Sequence, residues 1–424
     1  MLHIRKVLTL SLALILVCTL WSDVLSAAEA DGPCWPRFHG PKGDNHSPET
    51  GLLKKWPAKG PKLLWTAKDL GFGYSSVTIA HNTIYTAGNI DKRTVITALD
   101  LDGKVRWTFN ELEGFEGHMR GTRATPTIDG DRLYHKSPIG DVFCLNAKTG
   151  KKIWVVKNII KKFKTENIKW ALSESLLIDG NNVICCPGGP ITAMVAFDKM
   201  TGKIVWKSAS AKGDLAGYSS PGLVEYKGLR IILTMTGKAL IGVNADTGKL
   251  LFRHPHKATF DANVANPIFH DGHVFVSSGY GVGSQMVKLT VIKGKVKTKR
   301  IWFSKELDNH HGGVILVDGY LYGSGHRAND AKWICLDWKT GKMKYAAKGV
   351  GKGSATYAEG MLYTLSSRHM MGIVKATPEA HVLSGKFKIP LPVDTTSRGH
   401  PVVCGGRLYI RYNAFLYAYD IKAP

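Results

Sequence analysis

One phrase recurs along the chain and constrains everything else about it. Ala98-Leu99-Asp100-Leu101-Asp102-Gly103-Lys104-Val105-Arg106-Trp107 returns as Cys144-Leu145-Asn146-Ala147-Lys148-Thr149-Gly150-Lys151-Lys152-Ile153-Trp154. It returns again as Ala196-Phe197-Asp198-Lys199-Met200-Thr201-Gly202-Lys203-Ile204-Val205-Trp206. Weaker copies run from Val243 to Phe252 and from Cys335 to Tyr345, and degenerate ones end near Trp302 and Phe387. Self-similarity at a period of roughly 40–50 residues means one supersecondary unit stacked many times.

The phrase has a physical logic. A short apolar strand ends in Asp or Asn, a Thr-Gly-Lys turn follows in which Gly is free to take a positive φ, and a second strand ends in Trp. Each phrase is preceded by another hairpin, such as Ile128-Asp129-Gly130-Asp131-Arg132-Leu133-Tyr134 or Val317-Asp318-Gly319-Tyr320-Leu321-Tyr322. Asp-Gly between two β-rich runs is a strong hairpin signal. Two hairpins per unit make a four-stranded propeller blade. The first hairpins centre near Ile84, Leu133, Val183, Ile231, Val274, Leu321, Leu362 and Leu408, which gives eight blades. Seven is the alternative, because the unit between Tyr345 and Phe387 is poor. The last unit runs out after Tyr419-Asp420 without an outer Trp strand, and Pro61-Lys62-Leu63-Leu64-Trp65 supplies one. Closing the ring this way removes the exposed edge of a linear array. The fold class expected is all-β, a single closed β-propeller.

The Ala-x-Asp-x-x-Thr-Gly-Lys-x-x-Trp phrase resembles the tryptophan-docking repeat of quinoprotein dehydrogenases and other PQQ-like propellers. The outer-membrane assembly lipoprotein propeller is built from a similar repeat. The opening Trp35-Pro36-Arg37-Phe38-His39-Gly40-Pro41 also resembles the lead-in of secreted PQQ-like propellers of planctomycete type. The resemblance covers nearly everything from Trp35 onward and implies a quinoprotein alcohol dehydrogenase-like fold. It does not fix activity, because fold does not imply function. Two readings follow: an exported binding or scaffold module of the cell envelope, or a dehydrogenase of alcohols or sugars using pyrroloquinoline quinone with calcium. The dehydrogenases hold calcium with Glu, Asn and Asp oxygens, but the spacing of Glu174, Asp261 and Asn263 matches no dehydrogenase motif. No calcium ligand is carried over, and no metal site is assigned. No Cys-x-x-Cys-His occurs that would attach a c-type haem.

Residues 1–30 read as a signal peptide and 31–424 as the propeller. His3, Arg5 and Lys6 precede an apolar run from Val7 to about Leu20, and Ser26-Ala27-Ala28 and Ala28-Glu29-Ala30 offer cleavage sites. Cys18 follows Leu16-Val17, a poor lipobox. No other segment is long and apolar enough to span a bilayer. A secreted or periplasmic protein is therefore expected. Of the remaining cysteines, Cys144 and Cys335 occupy the repeat position held elsewhere by Ala and read as small buried residues. Cys34 and Cys404 lie near opposite ends of a closed ring, where a pairing across the closure is one reading. Cys185-Cys186 resembles the vicinal disulfide that stacks on the quinone of alcohol dehydrogenases, but it continues a blade strand and reads better as structural.

The chain holds 57 Lys and Arg against 33 Asp and Glu, a formal charge of +24. Dense runs lie at 157–169 and 293–300. Such an excess suits an anionic surface, or solvated hairpin tips. Nucleic acid is not an expected partner of an exported chain that carries no nucleic-acid motif.

A propeller's shared site lies where its inner strands start at the axis. The residues just before each first hairpin are the candidates, and they mix aromatic with basic and amide side chains. Tyr74, Arg120, Arg123, Trp170, Glu174, Tyr218, Asn263, His311, Arg398 and His400 are expected to converge. Such a set stacks on a flat ligand and clasps acidic groups through Arg. The partners expected are a small-molecule ligand at the axis or an envelope protein. The alternative is that these residues bond one another and fill a narrow channel.

Overall fold

The structure, a computed structural model, describes residues 34–390 and 396–424. The leader expected over residues 1–30 lies outside them. The fold is an eight-bladed propeller of antiparallel four-stranded sheets. Blade 1 comprises Thr78–Ala80, Thr83–Ile90, Arg93–Asp100 and Val105–Glu113. Blades 2 to 7 follow over residues 127–156, 177–207, 222–255, 268–304, 314–347 and 353–388. Blade 8 takes Val402–Cys404, Arg407–Tyr412 and Phe415–Asp420 from the end of the chain, and Lys62–Ala67 from its beginning. Trp65 pairs with Ala418 and Ala67 with Leu416, so the ring closes as the sequence implies. Among the described residues, no helix is long and apolar enough to cross a membrane.

The recurring phrase is a docking device. In each blade that carries it, the outer aromatic lies across from a small residue: Trp107 from Ala98, Trp154 from Cys144, Trp206 from Ala196 and Tyr345 from Cys335. This is why Cys144 and Cys335 alternate with Ala at that position. A bulge beside each of these pairs breaks the register, and a bulge re-aims a side chain. The Trp ring is laid on the turn glycine of the next blade. A Cβ on Gly150 would meet the ring of Trp107 at 2.6 Å, and one on Gly248 would meet Trp206 at 2.7 Å. The indole N–H then donates to a carbonyl of the same turn, from Trp107 to Ala147 at 3.1 Å and from Trp206 to Ala245 at 3.1 Å. The turn is held rigid from within, since Asn146 Oδ1 accepts from both the backbone and the hydroxyl of Thr149.

Five of the eight blade junctions dock this way: 8 to 1, 1 to 2, 2 to 3, 3 to 4 and 5 to 6. At the 4-to-5 junction Phe252 lies over Gly242 of its own blade, and the Gly294 turn of blade 5 has nothing against it. That turn joins two ten-residue strands, Gly283–Ile292 and Lys295–Ser304. At 6 to 7 and 7 to 8, Tyr345 packs on His381 and Phe387 on Tyr419 instead. This explains why the unit between Tyr345 and Phe387 reads poorly in sequence while still forming a full blade.

Before joining blade 8, the chain crosses the ring. Trp35 exchanges both backbone hydrogen bonds with Ile79 of blade 1, and Pro36 O accepts from Ile128 N of blade 2. His46–Ser47 then adds a short parallel strand to the inner edge of blade 7, opposite Tyr357 and Ala358. Residues 38–45 thus bridge the axis.

Candidate functional site

Where the chain enters the inner strands of blades 1 to 5, one hydrogen-bond pattern repeats from blade to blade. Ser76 N donates to Thr125 Oγ1, Thr125 N to Ser175 Oγ, Ser175 N to Ser220 Oγ, and Ser220 N to Asn266 Oδ1, all at 2.8–3.0 Å. This polar belt fixes the blades' inner ends at one radius. It carries a cavity of about 230 Å³ on the axis. The cavity's floor is the crossing segment, Phe38 and His39. A wider cavity of about 920 Å³ lies beyond that floor among the inner strands, so the crossing segment divides the axial channel in two.

The floor is a chain of neutral histidines. His400 Nε2 donates to His311 O at 3.0 Å, which leaves His400 Nδ1 as an acceptor. His39 Nε2 lies 3.2 Å from it and donates. His39 Nδ1 then accepts from Asn266 Nδ2 at 3.5 Å. Phe38 stacks on His39 with ring centroids 3.9 Å apart. Burial holds His400 down to about 4, and it holds His39 well below the usual imidazole range, with His400 and Arg37 adding to the effect.

The walls are aromatic and basic. Tyr74, Trp170, Tyr218 and Tyr280 line the cavity with His310 and His311. Trp170 and Tyr218 pack at 6.0 Å, and Tyr280 meets His310 edge-on at 4.9 Å. Arg123 lies over Tyr74 at 5.3 Å and Arg398 over the same ring at 5.1 Å. Burial first, and Lys352 second, push His310 down to about 2 and His311 well below its ordinary value. Four buried nitrogens on this wall have no partner within the protein: Trp170 Nε1, His310 Nδ1 and both of His311.

Seven of the ten residues expected at the axis line the cavity: Tyr74, Arg123, Trp170, Tyr218, His311, Arg398 and His400. Three do not. Arg120 is exposed and lies over the Phe72 ring at 4.2 Å, three residues away from Arg123 on the same loop. Glu174 sits between the lining residues Ser173 and Ser175 and points the other way, as neighbours on extended backbone do. It is buried against Lys136 and accepts from Cys186 N at 2.7 Å. Asn263 is buried with its amide spent on Thr236 O, His256 O and Ser278 Oγ. Sequence reasoning left Tyr280 out because it comes from the loop between the second and third strands of blade 5. It did not place Phe38 and His39 at the axis because nothing local says that their segment crosses it.

Calcium requires several hard oxygen ligands. No carboxylate lines this cavity, and Glu174 and Asn263 are committed elsewhere. Among the described residues, no three His, Cys, Asp or Glu are placed to hold a metal. The quinone–calcium set does not fit here. Cys185 and Cys186 are buried thiols in the body of blade 3, pushed up by burial and by Glu174, and they do not reach the cavity. Cys34 is an electrostatic neighbour of Cys404 in the first strand of blade 8.

The buried histidines give the fold a pH dependence. His135 is held at about 3, and His256 and His400 at about 4, all chiefly by burial. A free imidazole titrates near 6.5, so below that pH the unfolded chain binds protons that the native state refuses. Stability is complete above about pH 6.5 and is lost as the pH falls towards 4, at up to about 1.4 kcal/mol per pH unit for each wholly buried histidine. Urea midpoints measured from pH 7.5 to 4.5 should fall monotonically. A flat profile would contradict neutral burial of these rings.

The described residues form a closed eight-bladed β-propeller with a cavity at the inner-strand entrances. The family described as outer membrane protein assembly factor BamB matches residues 47–188 and 92–346, and the chain belongs to this family of PQQ-like propellers. The structure is similar to BamB from Moraxella catarrhalis, with a TM-score of 0.60 and 14% identity over 85% of this chain and 98% of that one. It is also similar to quinohemoprotein alcohol dehydrogenase from Comamonas testosteroni, with a TM-score of 0.63 and 11% identity over 95% and 82%. At such identities the likeness shows the fold alone. Tetrathionate hydrolase of Acidithiobacillus ferrooxidans is 24% identical over 362 residues, 83% of this chain. The match spans 60% of that protein's length.

Proposed function

We propose that the protein is an exported propeller of the cell envelope that acts as a binding module, holding a small ligand in the axial pocket. One observation carries this reading: four buried ring nitrogens of Trp170, His310 and His311, residues that line the cavity, have no partners inside the protein. Unpaired buried donors and acceptors cost about 1–3 kcal/mol each, and a ligand or bound solvent that pairs them recovers that cost. The outer membrane assembly description of its family supports an envelope location. The exposed lysines of the blade 5 hairpin, Lys293, Lys295, Lys297 and Lys299, suit contact with an anionic surface there. The dehydrogenase reading is disfavoured by the donor set.

A thermal-shift screen of small metabolites tests the reading. A stabilising compound should lose its effect in Trp170→Ala, while that variant alone keeps its β-sheet circular dichroism. Stabilisation that survives in Trp170→Ala would put the ligand elsewhere. Reconstitution with pyrroloquinoline quinone and Ca²⁺ should give no dye-linked oxidation of alcohols or aldoses, and oxidation lost in Trp170→Ala would overturn the binding-module reading.

A second reading, hydrolysis, draws on the relative named tetrathionate hydrolase. Neutral imidazoles with unpartnered nitrogens at His310 and His311 are groups able to position water. Turnover of tetrathionate that disappears in His311→Ala would favour it.

A further inference from the structure

We infer that the axial pocket takes a small dianion, clasped by Arg123 and Arg398 and wrapped by aromatic rings. This rests on the reading of the pocket as a ligand site and goes on to name the ligand's chemistry. Arg123 and Arg398 share the ring of Tyr74, so two guanidiniums stand at one end of one small cavity. Arg123 is fixed there by donating to the backbone oxygens of Gly121, at 2.8 Å, and Met119. Neither arginine has a carboxylate partner among the described residues.

A third cation stands behind them. Lys352 contacts His326 Nδ1 through its ammonium. It is held at about 8 by burial and then by Arg398, with Asp308 opposing. Among the described residues, Asp308 is the acidic group that opposes the shift of Lys352, and its oxygens already accept the backbone N–H groups of Gly281, His326 and Arg327. Three cations thus stand against one committed carboxylate, beside histidines that stay neutral. Like charges gathered in a partly desolvated site repel one another, and an anion of matching charge relieves the repulsion.

The neighbouring lining specifies the rest. Trp170 Nε1 is a donor only, and the neutral imidazoles of His310 and His311 each carry one N–H. These donors suit an acceptor-rich group such as a second carboxylate or sulfur oxoanion. The aromatic walls Trp170, Tyr218 and Tyr280 suit an apolar or polarisable part of the ligand. The volume of about 230 Å³ lies below the ~300–1,000 Å³ typical of sites for drug-sized ligands, so the molecule is small.

Titration calorimetry at pH 7.5 and low salt tests this with four probes: succinate, thiosulfate, sulfate and neutral succinamide. Succinate or thiosulfate should bind, succinamide should not, and affinity should fall with added salt. The response of thiosulfate against succinate tells sulfur oxoanions from dicarboxylates. Arg123→Gln and Arg398→Gln should each weaken binding at least tenfold, and Arg120→Gln, on the outer loop, should change nothing. Arg123→Lys, which keeps the charge and loses the fork, should fall between wild type and Arg123→Gln, so a folding defect in one variant does not leave the result open. Binding equal in wild type and both Arg→Gln variants would place the anion on surface lysines and overturn the inference. If only neutral compounds bind, and do so in a Trp170-dependent way, the pocket remains a ligand site and the dianion is wrong. If no probe binds and no compound in the thermal screen depends on Trp170, both readings fall.

Discussion

Replacing Trp206 with alanine is expected to lower stability by about 3–5 kcal/mol, read as a shift of the urea unfolding midpoint at pH 7.5. The ring is buried between blades 3 and 4, on Gly248, and its N–H is bonded to Ala245 O at 3.1 Å. Truncation loses the apolar burial, opens a cavity and strands a carbonyl. Gly248→Ala should also be severe for two separate reasons. The residue sits at φ +73°, and its new Cβ would lie within 2.7 Å of the Trp206 ring. Because both substitutions act on one contact, the double variant should be much less destabilised than the sum of the singles. Simple additivity would mean that the ring and the turn do not act as one unit. By contrast, Phe252→Ala at the 4-to-5 junction should lose apolar packing in the core shared by blades 4 and 5 but no hydrogen-bonded turn, because that junction lacks a docked turn.

Lys136→Met is expected to cost about 3–5 kcal/mol, since it leaves the buried Glu174 carboxylate without its cation between blades 2 and 3. Both side chains are nearly inaccessible, at 1% and 3% exposure. The double variant Lys136→Met/Glu174→Gln should recover at least half of the loss. It removes the stranded charge and keeps an acceptor for Cys186 N, which Glu174 now serves at 2.7 Å. Urea titration of the three proteins settles this, and a double variant as unstable as Lys136→Met would mean that the charge is not the cause. The pair also shows why Glu174 is absent from the axial wall: its place one residue out of phase with Ser173 and Ser175 sends it into the sheet.

The blades were legible because their signals are local. Asp129-Gly130 and Asp318-Gly319 announce hairpins with no help from the rest of the chain, and the Thr-Gly-Lys turn with its Trp marks the outer pair. The closure was legible for a different reason, namely that Tyr419-Asp420 lacks an outer strand and Leu63-Leu64-Trp65 has no other place to go. The axial site was legible only to the extent that equal phase means equal radius. That rule brought Tyr74, Tyr218 and Arg398 together. It is blind to which way a side chain turns, so it could not separate Arg123, inside, from Arg120, stacked on Phe72 outside. It also cannot see contributions from other connections. Tyr280 arrives from a second-to-third strand loop. Phe38 and His39 arrive from a segment whose course depends on bonds to Ile79, Ile128 and Tyr357, which are far away in sequence.

The most direct test of the axial pocket is whether it attracts anions. The direct measurement is a crystal structure of the protein soaked in selenate, an anomalously scattering dianion, read by its anomalous difference density. The account predicts a peak in the cavity above Phe38 and His39, within hydrogen-bonding distance of Arg123 and Arg398, that disappears in Arg398→Gln. Peaks confined to surface lysines, with only water between the two arginines, would contradict it.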